Sequence, residues 1–332
     1  MLHNMDHAEY LERKGNLKLF ISGIPHLFYK KKYLSTLSHQ RAKSIWYLYA
    51  IAYFACKIQN ILGKKTFSNI LRWTHNQFSK SLNNFLEKPL EVFIGSSSFA
   101  YEGLVKAKKL GAITIVDHGS LNEEFELEQK LIEKKKYGFE ITGNSMHSWL
   151  IDKENKEHNI ADYIVVTSYV AKQTFIDKGF PQSKIFVNHF AVDDRVFKRT
   201  LKRDNKFRIL FCGTVEPRKG IHYLVEAFNK LNLENSELWV IGALDYIKRD
   251  KNFKSFLKKN KNKNIKYLST IDQRQLPDYF SQCSLIVLPS IADGFGKVVS
   301  QAMSCKLPAI VSATTGAADL INEGKNGFIV KC

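Results

Sequence analysis

From Phe207 onward, short apolar runs alternate with longer stretches in which apolar residues recur every three or four positions. Uninterrupted apolar runs bounded by Gly, Asn or Asp are the mark of strands buried on both faces, and the three-to-four spacing marks one face of a helix. The pattern predicts strands at Phe207–Cys212, Glu237–Ile241, Ile265–Leu268, Ser284–Leu288, Ala309–Val311 and Gly327–Val330. Helices are expected near Ile221–Leu231, Tyr246–Lys259 and Gln273–Ser281, the first with Leu224, Val225, Phe228 and Leu231 on one face. A strand–helix alternation of this kind builds a parallel sheet. The first half reads as α/β too, with a helix at His7–Lys14 and strands at Leu17–Ile21, Glu91–Ile94, Ile113–Val116, Tyr163–Thr167 and Ile185–Asn188, joined by longer loops. Between the halves, Asp193 to Lys206 is polar with alternating charge. The expected organisation is therefore a domain over 1–195, a linker over 196–206 and a domain over 207–332, with ligands in the cleft between two such sheets.

One window departs from the rhythm. Ile45 to Cys56 is apolar for 12 residues before Lys57, too short for the roughly 20 residues that cross a bilayer. Rich in Tyr and Trp and flanked by Arg41, Lys43 and Lys57, it reads either as a helix lying in a membrane interface or as a buried helix of the first domain.

The length of 332 residues suits two domains with separate cores. Fifty Lys and Arg against 32 Asp and Glu leave a net charge of +18, which draws the chain toward anionic partners: membranes, nucleic acids or phosphorylated ligands. No nucleic-acid motif accompanies the charge, so nucleic acid is not an expected partner. The basic runs Lys30–Lys32, Lys134–Lys136 and Lys258–Lys263 read as solvated helix ends and loops. The 5 cysteines are widely spaced without a C-x-x-C pair, so neither a zinc site nor a disulfide framework is indicated. That thiol usage, and an N-terminus without a signal-peptide pattern, favour the cytoplasm or the inner face of its membrane.

Two loops carry the chemistry. Pro289-Ser290-Ile291-Ala292-Asp293-Gly294-Phe295-Gly296 follows one predicted strand and opens a helix, presenting backbone amides around Gly296, Lys297 and Val298 to an anion. Gly213-Thr214-Val215-Glu216-Pro217-Arg218-Lys219-Gly220 follows another strand, and its adjacent Arg218 and Lys219 suit a diphosphate. Both loops leave the carboxyl ends of parallel strands, where ligands of α/β sheets bind. Asp293 either accepts hydrogen bonds from a sugar or caps the helix. Gln301, one turn into that helix, reaches toward ribose hydroxyls.

These motifs resemble those of the retaining glycosyltransferases of the GT-B fold, glycosyl transferases group 1 (family GT4). Pro289-Ser290, Asp293-Gly294-Phe295-Gly296, Gln301-Ala302-Met303, Leu307-Pro308 and Thr315-Gly316 fall in step with the family pattern, as do Gly213, Lys219 and Gly220. The resemblance implies two Rossmann-like domains facing each other across a cleft. It also implies transfer of a sugar from a nucleotide-diphosphate donor to a glycan or lipid-linked acceptor of polysaccharide biosynthesis, with retained anomeric configuration and without a metal or other cofactor. By the same resemblance Arg218, Lys219, Gly296, Lys297 and Val298 bind the diphosphate, and Asp293, Phe295 and Gln301 the sugar and ribose. Gly213 and Gly220 support the loop, and Asp293 and His118 act at the reacting centre, His118 from Thr114-Ile115-Val116-Asp117-His118 at a strand end. Asp162 reads as structural and Ser168 as a helix cap.

The chain departs from the pattern in three places. Asp293 and Gln301 stand where the family has two glutamates, and Thr214 stands where it often has Arg. The family's opening strand with its Gly-rich loop, and its final helices, are expected to be missing. Two other readings stay open: a nucleotide-sugar epimerase of the same fold, and a non-catalytic relative that binds a glycan, a lipid surface or a partner. Peripheral contact with an anionic membrane is compatible with the charge and with the aromatic window.

Overall fold

Unbroken apolar runs can become strands only if both their faces are covered, and the second half of the chain meets that condition most fully. A computed structural model of the chain describes residues 2–24, 37–38, 40–140 and 144–331, excluding the side chains of residues 2–6, 60, 64 and 144–147. It divides into two units, Met1–His118 with Gly143–Val165, and Gly119–Thr142 with Val166–Cys332.

The first unit holds α1 (Leu2–Arg13), β1 (Phe20–Ser22), β2 (Ala42–Ser44), α2 (Trp46–Lys57), α3 (Gln59–Ser81), β3 (Val92–Ser96), α4 (Tyr101–Lys109), β4 (Ile113–His118), α6 (Asn144–Ile160) and β5 (Tyr163–Val166). The chain makes α5 (Glu123–Tyr137) between β4 and α6, as part of the second unit. Strands β1 and β2 pair in parallel, and β3, β4 and β5 lie side by side in that order. Leu82, Phe93, Leu104, Ala107 and Val116 fill the core of this unit. Glu157 of α6 caps α4 by accepting the amides of Ala100 and Tyr101 at 2.9 and 3.1 Å. Asp162 is structural, as expected: it accepts the Thr114 amide at 2.8 Å and pairs with Lys108 at 2.7 Å.

Helix α2 occupies the apolar window, and the buried reading of that window does not hold. Only Ile45, Leu48 and Ala55 of the window are buried, while Trp46, Tyr47, Tyr49, Ile51, Tyr53 and Phe54 are exposed.

The second unit continues with α7 (Tyr169–Asp177), β6 (Ile185–Val187), β7 (Phe207–Cys212), α8 (Ile221–Leu231), β8 (Ser236–Ile241), α9 (Asp245–Arg249), α10 (Lys251–Lys259) and β9 (Ile265–Leu268). It ends with α11 (Leu276–Gln282), β10 (Leu285–Leu288), α12 (Lys297–Ser304), β11 (Ala309–Ser312) and β12 (Gly327–Val330). Six of its strands form a parallel sheet in the order β12-β11-β10-β7-β8-β9. The predicted alternation is thus present, with one helix divided in two. Asp250 interrupts the expected Tyr246–Lys259 helix with extended backbone, and its carboxylate caps α10 by accepting the amides of Asn252 and Phe253 at 2.9 and 3.0 Å. An Asp at this position favours a cap over a continuous helix because its short side chain reaches free amides two and three residues on.

Three segments expected in the first domain or the linker belong to this unit: Gly119–Thr142, residues 166–195 and residues 196–206. Helix α5 docks on α8 through Glu133, which binds His222 at 2.8 Å and accepts the Tyr223 hydroxyl at 2.6 Å. The stretch 196–206 is pinned to α11: Phe197 is buried and stacks on Phe280, and the Thr200 and Arg203 amides donate to Ser281 Oγ and Gln282 Oε1. The runs at Lys134–Lys136 and Lys258–Lys259 close α5 and α10, where cations oppose the negative end of the helix dipole. Lys30–Lys32 and Cys332 lie outside the described residues.

Candidate functional site

The strand order of the second sheet reverses beside β7, which has β8 on one side and β10 on the other. The register pairs Leu285 with Ile209 and Ile286 with Leu210. At such a switch point the loops beyond neighbouring strand ends part and leave a crevice. Here those two loops are Gly213–Gly220 and Pro289–Gly296. They are bolted together: Ile291 N donates to Arg218 O at 3.0 Å, and Arg218 Nη1 donates to Ala292 O at 2.9 Å. Gly220 makes this approach possible. Its φ is +68°, and a Cβ there would sit 1.7 Å from Pro289 O, so a side chain is excluded by both backbone angle and space.

A second layer holds the Pro289–Gly296 loop from outside. Ser312 Oγ and Thr314 Oγ1 donate to Ser290 O, the latter at 2.8 Å. Asp293 donates its amide to Thr314 O at 3.2 Å and accepts the Gly316 amide at 2.9 Å. Gly294 O receives Thr167 Oγ1 at 2.9 Å and Ser168 Oγ at 2.7 Å, while a Cβ at Gly294 would lie 2.5 Å from Ser120 Cα. Ser168 caps α7 as expected, accepting the Ala171 amide at 2.9 Å, and also grips the site loop.

At the centre Lys219 Nζ meets Asp293 Oδ2 at 2.5 Å, with the two side chains 16% and 12% exposed. Arg218 binds Glu216 at 3.0 Å and stands 3.9 Å from Glu126, which also pairs with Lys130 at 2.6 Å and accepts Ser120 Oγ at 3.1 Å. Burial alone would push the Asp293 carboxyl up. Lys219 and Arg218 outweigh it and hold Asp293 below the usual carboxylate range, and Glu126 is held low against burial by Lys130 and Arg218. Asp293 is therefore an ionised acceptor at neutral pH, suited to receiving hydroxyl protons in hydrogen bonds and unsuited to donating one.

Helix α12 starts beside this cluster. Gly296 takes the left-handed conformation at φ +71°, no side chain caps the helix, and its first residues are Lys297 and Val298. Asp293 accepts the Phe295 amide, ahead of the helix start, and does not cap α12. Gln301 is buried in α12 one turn on. The Phe295 ring is 2% exposed and packs on His189 and Phe190, and Val298 packs against the core of the unit. Gly213 follows β7 and donates its amide to Ile241 O at 2.9 Å. The second unit so brings Arg218, Lys219, Asp293, Gly296 and Gln301 to one sheet edge. His118 belongs to the first unit, buried at the end of β4 with its ring 5.1 Å from that of His158.

Sequence reasoning missed Glu126 and Glu216 as partners of Arg218. Glu126 lies on α5, far along the chain, and carries no motif. The arrangement is a pair of cations steered by three carboxylates and facing an uncapped helix start, which can bind a polyanion while orienting its hydroxyls.

Residues 192–332 match the family described as Glycosyl transferases group 1. The match falls within the second unit. A 41.2 kDa protein of the cps region of Klebsiella pneumoniae is 24% identical over 221 residues, covering 60% of this chain and 59% of its own. The capsular polysaccharide biosynthesis glycosyltransferase CapM of Staphylococcus aureus is 27% identical over 173 residues, covering 50% of this chain and 45% of its own. These matches span only about half of each relative's length. Among solved structures, Anabaena HepE in complex with UDP superposes with a TM-score of 0.58 at 17% identity, over 78% of this chain and 68% of HepE. The fold of the chain is GT-B, two parallel-sheet α/β domains.

Proposed function

We propose that the chain transfers a sugar from a nucleotide-diphosphate donor to a glycan or lipid-linked acceptor. The observation that carries the reading is the junction of Arg218, Lys219 and Asp293 with the uncapped start of α12, inside the stretch that matches group 1 glycosyltransferases. Arg218, Lys219 and the amides near Gly296 bind the diphosphate. Asp293 accepts hydroxyls of the donor sugar, and Gln301 those of the ribose. UDP bound in HepE supports the donor class, and the role of CapM in capsular polysaccharide biosynthesis supports a glycan acceptor.

Breaking the glycosyl–phosphate bond gathers negative charge on the leaving diphosphate. Fixed cations and helix amides stabilise that charge more in the transition state than in the bound donor. Two adjacent cations supply this stabilisation without a metal ion, so transfer is expected to persist in chelator. Attack on the same face of the sugar, with retention, takes the leaving phosphate as base. His118 acts on the acceptor side.

The test is a thermal-shift screen of UDP-, GDP- and ADP-sugars, followed by transfer from a radiolabelled donor to candidate glycans with and without EDTA. A donor that binds the folded chain raises its unfolding temperature. Arg218→Ala should abolish that shift, and full stabilisation of the variant would show that the diphosphate sits elsewhere. Epimerisation of the donor without acceptor would overturn the transfer reading.

A further inference from the structure

Helix α2 poses a physical problem that the transfer reaction leaves untouched. Its sequence, Trp46 to Lys57, contains one charged residue, and a helix apolar on all sides is normally buried. In this structure two of its residues are buried, Ala50 and Ala52 are half-buried and the other eight are exposed, Trp46 at 56% and Phe54 at 65%. The apolar surface continues through Ile58 between the helices into the first turn of α3, where Ile61 is 83% exposed. Between the two helices runs a groove of about 670 Å³ lined by Ile51, Phe54, Ala55, Ile58, Leu62 and Trp73.

The surrounding charge indicates what covers this face. From Arg13 to Leu86 the chain has 13 Lys and Arg and not one Asp or Glu. Lys43, Lys57 and Lys65 are exposed on or beside the hairpin, and Lys57 Nζ lies over the Tyr53 ring at 5.4 Å. A symmetric pairing of this face with a second copy would set like charges against each other. Protein interfaces also deplete Lys, whereas Trp, Tyr and Lys gather where acyl chains meet head groups. With 12 residues α2 is too short to cross a bilayer, for which roughly 20 are needed. Among the described residues no helix is long and apolar enough to do so.

We infer that the α2–α3 hairpin docks on an anionic phospholipid bilayer, with Trp46, Phe54, Ile58 and Ile61 entering the acyl boundary and Lys43, Lys57 and Lys65 meeting lipid phosphates. Docking does not depend on the donor site, so it stands or falls separately from the transfer reading.

The experiment is co-sedimentation of the full chain with phosphatidylcholine vesicles, with and without phosphatidylglycerol, at low and high salt. Binding should require the anionic lipid and weaken with salt. The exposed pair Phe54→Ser with Ile61→Ser should lower partition by roughly a hundredfold. Lys57→Glu with Lys65→Glu should lower it by at least about tenfold. Both variants should keep the wild-type unfolding midpoint, because the changed side chains are exposed. The inference is overturned if wild type stays in the supernatant with anionic vesicles, or if both variants bind as wild type does. It is equally overturned if the chain is a dimer that Phe54→Ser with Ile61→Ser dissociates while neither form binds vesicles.

Discussion

The Lys219–Asp293 pair gives the sharpest test of the site's electrostatics. Replacing Lys219 with Met keeps much of the aliphatic length and removes only the charge. The two side chains are 16% and 12% exposed and 2.5 Å apart, so water screens them poorly. Removing one partner of a buried pair costs about 3–5 kcal/mol. Arg218 remains to share the carboxylate's charge, which brings the expected loss to about 2–3 kcal/mol. The sign with pH follows from the lowered pKa of Asp293. The pair's contribution is present above the unfolded value of roughly 3.9 and is lost as pH falls through the folded value. Urea unfolding followed by circular dichroism should therefore show Lys219→Met well below wild type at neutral pH, with the gap narrowing as Asp293 is protonated in acid. A neutral-pH deficit under about 0.5 kcal/mol, or the same deficit in acid, would refute the argument.

Other changes probe different contacts. Gly220→Ala places a Cβ 1.7 Å from Pro289 O at φ +68°, and should cost about 2–4 kcal/mol and weaken donor binding, read by urea titration and by donor-induced thermal shift. Gln301→Ala should weaken nucleotide-sugar binding about five- to tenfold in calorimetry, the loss of one hydrogen bond, with the fold unchanged. Arg208→Met removes the partner of Asp204 at 2.7 Å and of Glu237 at 2.9 Å and should cost about 2–3 kcal/mol without changing donor affinity. A stability loss for Arg208→Met below about 0.5 kcal/mol would show that Lys206, Lys266 and Trp239 satisfy Glu237 without it.

Local patterns carried much of the fold. The strands at Phe207–Cys212, Ile265–Leu268 and Gly327–Val330 and the helix Ile221–Leu231 stand where spacing placed them, because strand and helix each impose a period on buried positions. Asp250 was one exception, since a cap and a mid-helix Asp look alike until the free amides beyond it are seen. Arg218, Lys219 and Asp293 were legible as a group because both loops end strands in Gly-rich sequence. Their pairing was not.

The sequence by itself determined the βα rhythm, the two loops and the helix start that follows one of them, all of which depend on neighbours along the chain. Only the tertiary structure decided that β7 lies beside β10, that α5 brings Glu126 to Arg218, and that α2 turns its aromatic residues outward. The reason is physical. Strand order, helix docking and the side from which an apolar face is covered depend on contacts between segments far apart in sequence, and hydrophobic burial is nondirectional, so residue spacing alone does not specify which partner supplies it.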